Sequence, residues 1–507
     1  MRRKIVVVTT FTIAAVAVAA SVQADPEASQ QRRLGSITFA NSGHAEAQGP
    51  FIDGVLLLHS FEFEDAAAAF RRAQDIDPDF ALAYWGEAMT YNHPLWREQN
   101  REAALAVLTR YAPSPEARKA KAPSEREAAY LVALDVLYGE GSKTERDLAY
   151  MAEMERLTTR YPDDLEARAF YSLAILGSTD GERDFATYMR AAAAVQPVFD
   201  ANPDHPGAAH YIIHAFDDPV HAPLGLDAAR AYSEIAPDAA HAQHMTSHIF
   251  VAMGMWDDVV AANIRARDVQ DARRAELGRH PNACGHYGSW LHYGWLMRGD
   301  IDDAERGMAE CQALVTSAAA TAPEISYFVA MRARHVLDTR DWEAAERLSA
   351  DVDHPGFHFV TAYATLQRGD AAAATEILRT LRQTVGSSPE PRSRIMILEL
   401  EALLALEDGD GAGALALMEQ ATAIEEGLPF EFGPPASLKP PHELLGEIAL
   451  EVGNHEVALA AFRGSLAFTP ERTPSLEGLV AAARAVGRTT VAQDAQARLD
   501  HIRRGSH

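Results

Sequence analysis

The sequence predicts an all-α protein of stacked helical hairpins, and three observations carry that expectation. Histidines recur at one interval: His210 and His214 are followed by His244 and His248, each 34 residues later, and His59 and His93 are also 34 apart. A period of that length fits one helix–turn–helix unit. From about Ala47 onward, apolar residues stand at three-to-four-residue spacing, broken by Gly-Asp or Pro at the turns. No long stretch alternates as a half-buried strand would.

Taken in order, residues 1–24 read as an export signal. Arg2, Arg3 and Lys4 begin it, Ile5 to Ala20 form an apolar run, and Val22-Gln23-Ala24 is a small-residue cleavage site before Asp25. The apolar run is too short, and the following chain too polar, for a membrane span. The expected location is therefore periplasmic or secreted. Residues 25–46 read as a flexible leader, 47–504 as the helical array, and 505–507 as a tail. Gly427 to Pro441, GLPFEFGPPASLKPP, is too rich in Pro and Gly for helix and reads as a loop, either an inter-repeat connector or a lid carrying Phe430 and Phe432.

The second helix of each unit has the clearest signature. Phe61-Glu62-Phe63-Glu64-Asp65-Ala66 leads into Ala69-Phe70, Ala73 and Pro78, and Gly453-Asn454-His455 into Ala458, Phe462, Ser465 and Pro470. Gly254-Met255-Trp256 precedes Val259, Asn263 and Ala266, and Gly299-Asp300-Ile301 precedes Ala304, Met308 and Cys311. Small residues recur where helices must approach closely, a large one fills the next gap, and proline stops the helix. In period and in this order of residues the chain resembles the tetratricopeptide repeat (TPR) family over nearly its whole length, with about a dozen units. The spacing is irregular near residues 95–130, 178–184, 268–283 and 427–438. The resemblance implies a right-handed superhelix whose inner groove is lined by the first helix of each unit and binds a peptide or partner protein.

Charge narrows the partners. Acidic residues outnumber basic ones 72 to 46, for a formal charge of −26. Nucleic acid is thereby disfavoured, while cations are electrostatically welcome. The only two cysteines, Cys284 and Cys311, fall at similar heights on one expected hairpin. A disulfide, unpaired packing residues and a ligand role for Cys284 all fit that placement.

The candidate chemistry lies in the histidines. Two rings at i, i+4 leave the same helix face one turn apart. Equivalent residues of stacked units lie on neighbouring helices about 8–10 Å apart. His210, His214, His244 and His248 are thus expected to face one small volume. On the repeat frame His241, His286, Asp217 and Asp218 share that side as supporting candidates. Imidazole suits transition metals, and copper and zinc both fit an all-nitrogen set in an exported protein. Asp217 and Asp218 are placed either as ligands or as acceptors for the second ring N–H of a ligand. HxxxH with Met245-Thr246-Ser247 between lacks the glutamate of the zinc-protease motif.

Weaker catalytic candidates are Asp217, His93 and Glu87, the last a carboxylate on an apolar helix placed either as an acid/base near His93 or as a structural hydrogen-bonding group. Glu443 and Glu447 are expected to be solvated. Two functions follow: a metal site acting on a small molecule or peptide in the groove, and a non-catalytic scaffold gripping a peptide or partner protein.

Overall fold

The computed structural model describes residues 32–179, 183–317 and 320–504. The export signal, the start of the leader and the tail lie outside the described residues. Among those described are 25 α-helices, two 3₁₀ turns and a single two-residue antiparallel pair, Asn92–His93 with Glu98–Gln99. Twenty-four of the helices form twelve consecutive antiparallel pairs, and Pro115–Lys121 is the one inserted helix. The fold is an all-α solenoid of stacked helical hairpins, as expected from the sequence. No described helix is long and apolar enough to cross a membrane.

Local chemistry sets the boundaries. Ser142 and Thr321 begin their helices with complete capping boxes, and Asn100, Ser114, Ser124, Asp164, Asp184, Asp370 and Asp410 cap others through their side chains. Gly299, in the left-handed conformation at φ 86°, ends the helix His286–Arg298. Within pairs, the small residues predicted from the repeat are fully buried: Ala69, Ala73, Ala266, Ala304 and Ala458 all sit at 0% exposure. Close approach there lets Phe70 and Phe462 fill the gap to the next unit.

The superhelix closes on itself, and this positions the site. The first helix of the array, Gln48–His59, packs against Pro206–Phe216, the first helix of the fifth unit. Gly207 makes that approach possible, because a Cβ there would stand 2.2 Å from His59 Nδ1. Gly207→Ala is therefore expected to cost about 1–3 kcal/mol through overpacking, read as a lower melting temperature. At the far end, Trp256 Nε1 donates to Glu471 O at 3.0 Å and Thr473 Oγ1 to Met297 O at 2.6 Å. The last unit thus rests on the sixth and seventh.

Two expectations are corrected here. The described part of the leader is not loose: Leu34 and Phe39 are core residues, Ser36 N bonds Asp204 O at 3.0 Å, and His44 N bonds Asp77 Oδ2 at 2.9 Å. Polar composition hid two apolar anchors spaced to reach the array. Glu443 is fully buried rather than solvated, bonded to Arg472, Lys439 and Ser475, and Glu447 bonds Lys439 at 2.9 Å. Their partners lie on other segments, which helical periodicity does not register.

Glu399, in the helix Pro391–Glu407, is buried with both carboxylate oxygens lacking a hydrogen-bond partner. Burial, then the Glu425 charge, raises its pKa well above the usual value. A raised carboxyl favours folding below its unfolded pKa, and that contribution is lost as pH climbs toward the folded value. Glu399→Gln is expected to leave stability unchanged near pH 4 and to stabilise increasingly toward pH 8, by on the order of 1–2 kcal/mol. Melting curves across that range check it.

Candidate metal centre

Three successive first helices carry the site: Pro206–Phe216, Ala240–Ala252 and His286–Arg298. The six candidate histidines form two triads rather than one cluster. His210, His214 and His241 make the first, and His244, His248 and His286 the second, with ligand-capable atoms of each triad within 4.8 Å of one another. The reason is geometric. Each i, i+4 pair converges on a point beside its own helix, and the third ring comes from the start of the next first helix. His241 thus reaches back to the first pair, and His286, its equivalent one unit later, to the second. The triads adjoin: ring centroids of His214 and His248 are 5.9 Å apart, and those of His241 and His244 are 6.1 Å apart.

Tautomers follow from the outer hydrogen bonds. His210 Nδ1 lies 2.6 Å from His59 O, a pure acceptor, so Nδ1 carries the proton and Nε2 is bare. His248 Nδ1 donates to Asp217 Oδ2 at 2.6 Å. Asn263 Nδ2 donates to Val259 O, which turns Asn263 Oδ1 toward His244 Nδ1 at 2.8 Å. His244 and His248 therefore point two bare Nε2 atoms at each other across 3.1 Å. Two lone pairs that close repel unless a cation lies between them. His210 and His214 present Nε2 to Nε2 at 3.0 Å, and His241 Nε2 is buried without a hydrogen-bond partner. These separations fit two metal–nitrogen bonds of about 2.0–2.1 Å at an angle near 95°.

A proton is a poor cation here. All six rings are buried or nearly so. Burial, then neighbouring imidazolium charge, pushes the pKa values of His214, His241 and His244 well below the usual value, while burial brings those of His210 and His286 to about 3. Those five rings are held in the neutral form near pH 7, the form that binds metal. Aromatic side chains wall the site. Trp290 lies 4.4 Å from the His248 ring and Phe61 4.4 Å from His210. Phe61 is held at φ 55°, a left-handed conformation that a bulky residue adopts only under constraint.

The other sequence candidates take different places. Asp217 is the acceptor for His248. Asp218 turns away, paired with Arg183 at 3.0 Å and His221 at 2.9 Å. Glu87 is locked by Arg71, Arg110 and Gln74, a structural ion pair with no line to His93. His93 stacks on Phe63 at 4.0 Å, and Trp96 lies between it and His241. His59 joins neither triad; its carbonyl fixes His210. Its own ring bonds Tyr211 and Glu166, and Glu166 also meets His205 at 3.2 Å. Burial favours the neutral acid, but His205 and His59 outweigh it and hold the Glu166 carboxyl at about 2. Cys284 and Cys311 are joined as a disulfide, so Cys284 is not a ligand.

Sequence reading missed Glu166, His205 and Asn263 as supports. Asn263 left a signal: it occupies the repeat position that Phe70, Met308 and Phe462 fill with a large apolar side chain. Glu166 left none, since its partners are distant in sequence.

The loop between Glu426 and Pro441 lies over the centre. The Phe432 ring sits 5.5 Å from His248 and 6.5 Å from His214. Gly433, at φ 100°, presses against Trp290, where a Cβ would come within 2.3 Å of the ring. Arg334 ties the loop down by donating to Pro435 O at 3.0 Å. Beside Phe432 a cleft of about 390 Å³ leads from the surface to His214.

No family model and no curated protein matches the chain. Among solved structures it is similar to the TPR domain of P58(IPK), at 14% identity and a TM-score of 0.22, covering 88% of this chain and 99% of that one. It is similar to yeast Tom70 at 11% and 0.35, covering 89% and 99%. Human IFIT1, solved as a dimer with PPP-AAAA, gives 12% and 0.36, with 89% of each chain covered.

Proposed function

We propose that this protein is an exported metalloprotein holding two adjacent transition-metal ions, one in each histidine triad, and that it acts on a small molecule there. The carrying observation is the pair of bare nitrogens, His244 Nε2 and His248 Nε2, facing each other at 3.1 Å in a buried site. Three protein ligands per ion leave coordination positions for water, oxygen or substrate. Copper is favoured over zinc. Imidazole-only sites bind copper most tightly among the divalent first-row metals, and the carboxylates that reach this region are already engaged. Asp217 holds His248, Asp218 holds Arg183, and Glu62 accepts the His241 backbone N–H at 3.1 Å. With those carboxylates engaged there is, among the described residues, no side-chain base beside the triads to assist hydrolysis, and oxygen-dependent oxidation of an organic substrate is the better fit. The disulfide supports an oxidising compartment, in keeping with the signal-like first 24 residues.

The test is metal analysis of the mature protein, purified without an affinity tag and reconstituted with copper or zinc. Two equivalents of copper, a raised melting temperature reversed by chelator, and oxygen uptake with reducing substrates are expected. Failure to retain either metal after reconstitution sinks the reading in favour of a scaffold.

A further inference from the structure

The cleft that ends at His214 has its own chemistry. Its walls are aromatic: Trp96 and Phe432 stand on either side of the approach to the triads, with Tyr188 and Phe430 farther out. Trp96 is half exposed, an unusual place for so large an apolar ring unless something covers it.

Among the cleft's polar side chains, which include Arg97, Thr179 and Glu431, one is buried with a donor unmet. Arg183 is buried, its guanidinium lying 4.0 Å over the Tyr188 ring. Nε and Nη2 donate to Asp218 Oδ2 at 3.1 and 3.0 Å, and Nη2 also to Ala215 O at 3.1 Å. The remaining prong, Nη1, is buried with no hydrogen-bond partner. A buried donor left unmade costs about 1–3 kcal/mol, and Arg183 lines the cleft. Asp218 already balances the Arg183 charge, so the prong requires an acceptor oxygen.

We infer that the cleft receives a small planar aromatic molecule carrying a carboxylate or carbonyl oxygen at one end. The oxygen accepts from Arg183 Nη1, the ring lies among Trp96, Tyr188 and Phe432, and the other end faces His214. This deepens the two-ion reading by naming the substrate class of that site, and it rests on it. The volume suits one or two rings and excludes a folded partner.

The experiment is calorimetric titration of 4-hydroxybenzoate, benzoate and phenol into metal-loaded and metal-free protein, with Arg183→Lys and Trp96→Leu beside the parent. Lysine keeps the charge opposite Asp218 but loses the third prong, and Trp96 is exposed enough to replace without a cavity. Saturable binding of both benzoates is expected, weakened at least tenfold by Arg183→Lys. Phenol is expected to bind more weakly and to be indifferent to that change, while Trp96→Leu weakens all three. Metal content is expected to be the same in both variants and parent. Benzoate binding that survives Arg183→Lys unchanged, or no saturable aromatic binding to metal-loaded protein, overturns the inference. Benzoate binding with this pattern in a protein that takes up no metal upholds the cleft while the two-ion reading fails, so the two are separable.

Discussion

Replacing His244 and His248 together by alanine is expected to halve the bound metal, from two ions to one, and the His210/His214 double variant to do the same. The expectation rests on how the triads are built. Each takes its i, i+4 pair from one first helix and its third ring from the next. Removing a pair destroys one site and leaves the other with all three ligands. A single four-histidine centre predicts instead that either double variant loses all metal, so stoichiometry decides between the two arrangements. The outer hydrogen bonds add a graded version. Asp217→Asn keeps the side-chain volume but weakens the acceptor for His248 Nδ1, and is expected to lower affinity at the second triad by about 10–100-fold. Equal affinity in that variant and parent would falsify the orienting role given to Asp217.

Metal-free protein has its own expected signature. The facing nitrogens of His244 and His248 remain 3.1 Å apart, and burial keeps His244 from protonating readily. Chelation should therefore lower the melting temperature more than it does in the double variants, where one repulsive pair is gone.

The repeat made much of this legible. Spacing of 34 residues, small residues on second helices and turn-marking glycines suffice to read an α-solenoid, because each follows from packing between neighbours in sequence. All six histidines of the triads could be named for the same reason, since they sit at equivalent positions of consecutive units. What periodicity cannot report is contact between units far apart. The approach of Gln48–His59 to Pro206–Phe216 depends on superhelical pitch, so the placement of His59 behind His210, and the support from Glu166, emerge only in three dimensions. The division into two triads was hidden similarly: it turns on whether His241 reaches back or stays with His244, one turn away on its own helix. Glu443 was misread because a carboxylate on a groove-facing helix looks solvated until the chain from the last unit covers it.

That covering chain supplies the other large effect. Arg472, buried just before the helix Thr473–Ala485, donates to Glu443 through Nε at 2.9 Å and Nη2 at 3.0 Å, and to Asp338 through Nη1 at 3.2 Å and Nη2 at 2.5 Å. It thereby joins the eighth, eleventh and twelfth units. The flanking contacts, Glu471 with Trp256 and Thr473 with Met297, carry the attachment to the helix pairs beside the histidine triads. Arg472→Met keeps apolar volume and leaves Glu443 and Asp338 buried without their bonded guanidinium, balanced by Lys439 beside Glu443 and the more distant Arg334 charge near Asp338, which is expected to cost about 3–5 kcal/mol. The pH dependence identifies the cause. Burial raises the Glu443 pKa, but Arg472 and then Lys439 outweigh it and hold it far below the usual 4.5. A depressed carboxyl stabilises the fold above its unfolded pKa, and the gain is lost as pH falls below that value. The penalty in Arg472→Met should therefore be full at pH 7 and shrink as pH drops through about 4.5, where the stranded Glu443 can take up a proton. A penalty constant across that range would point to lost packing alone. If the last unit acts as a clamp on the middle of the array, hydrogen exchange in Arg472→Met should also quicken around Trp256 and Met297, while the helix Gln48–His59, held from the other side, exchanges as in the parent.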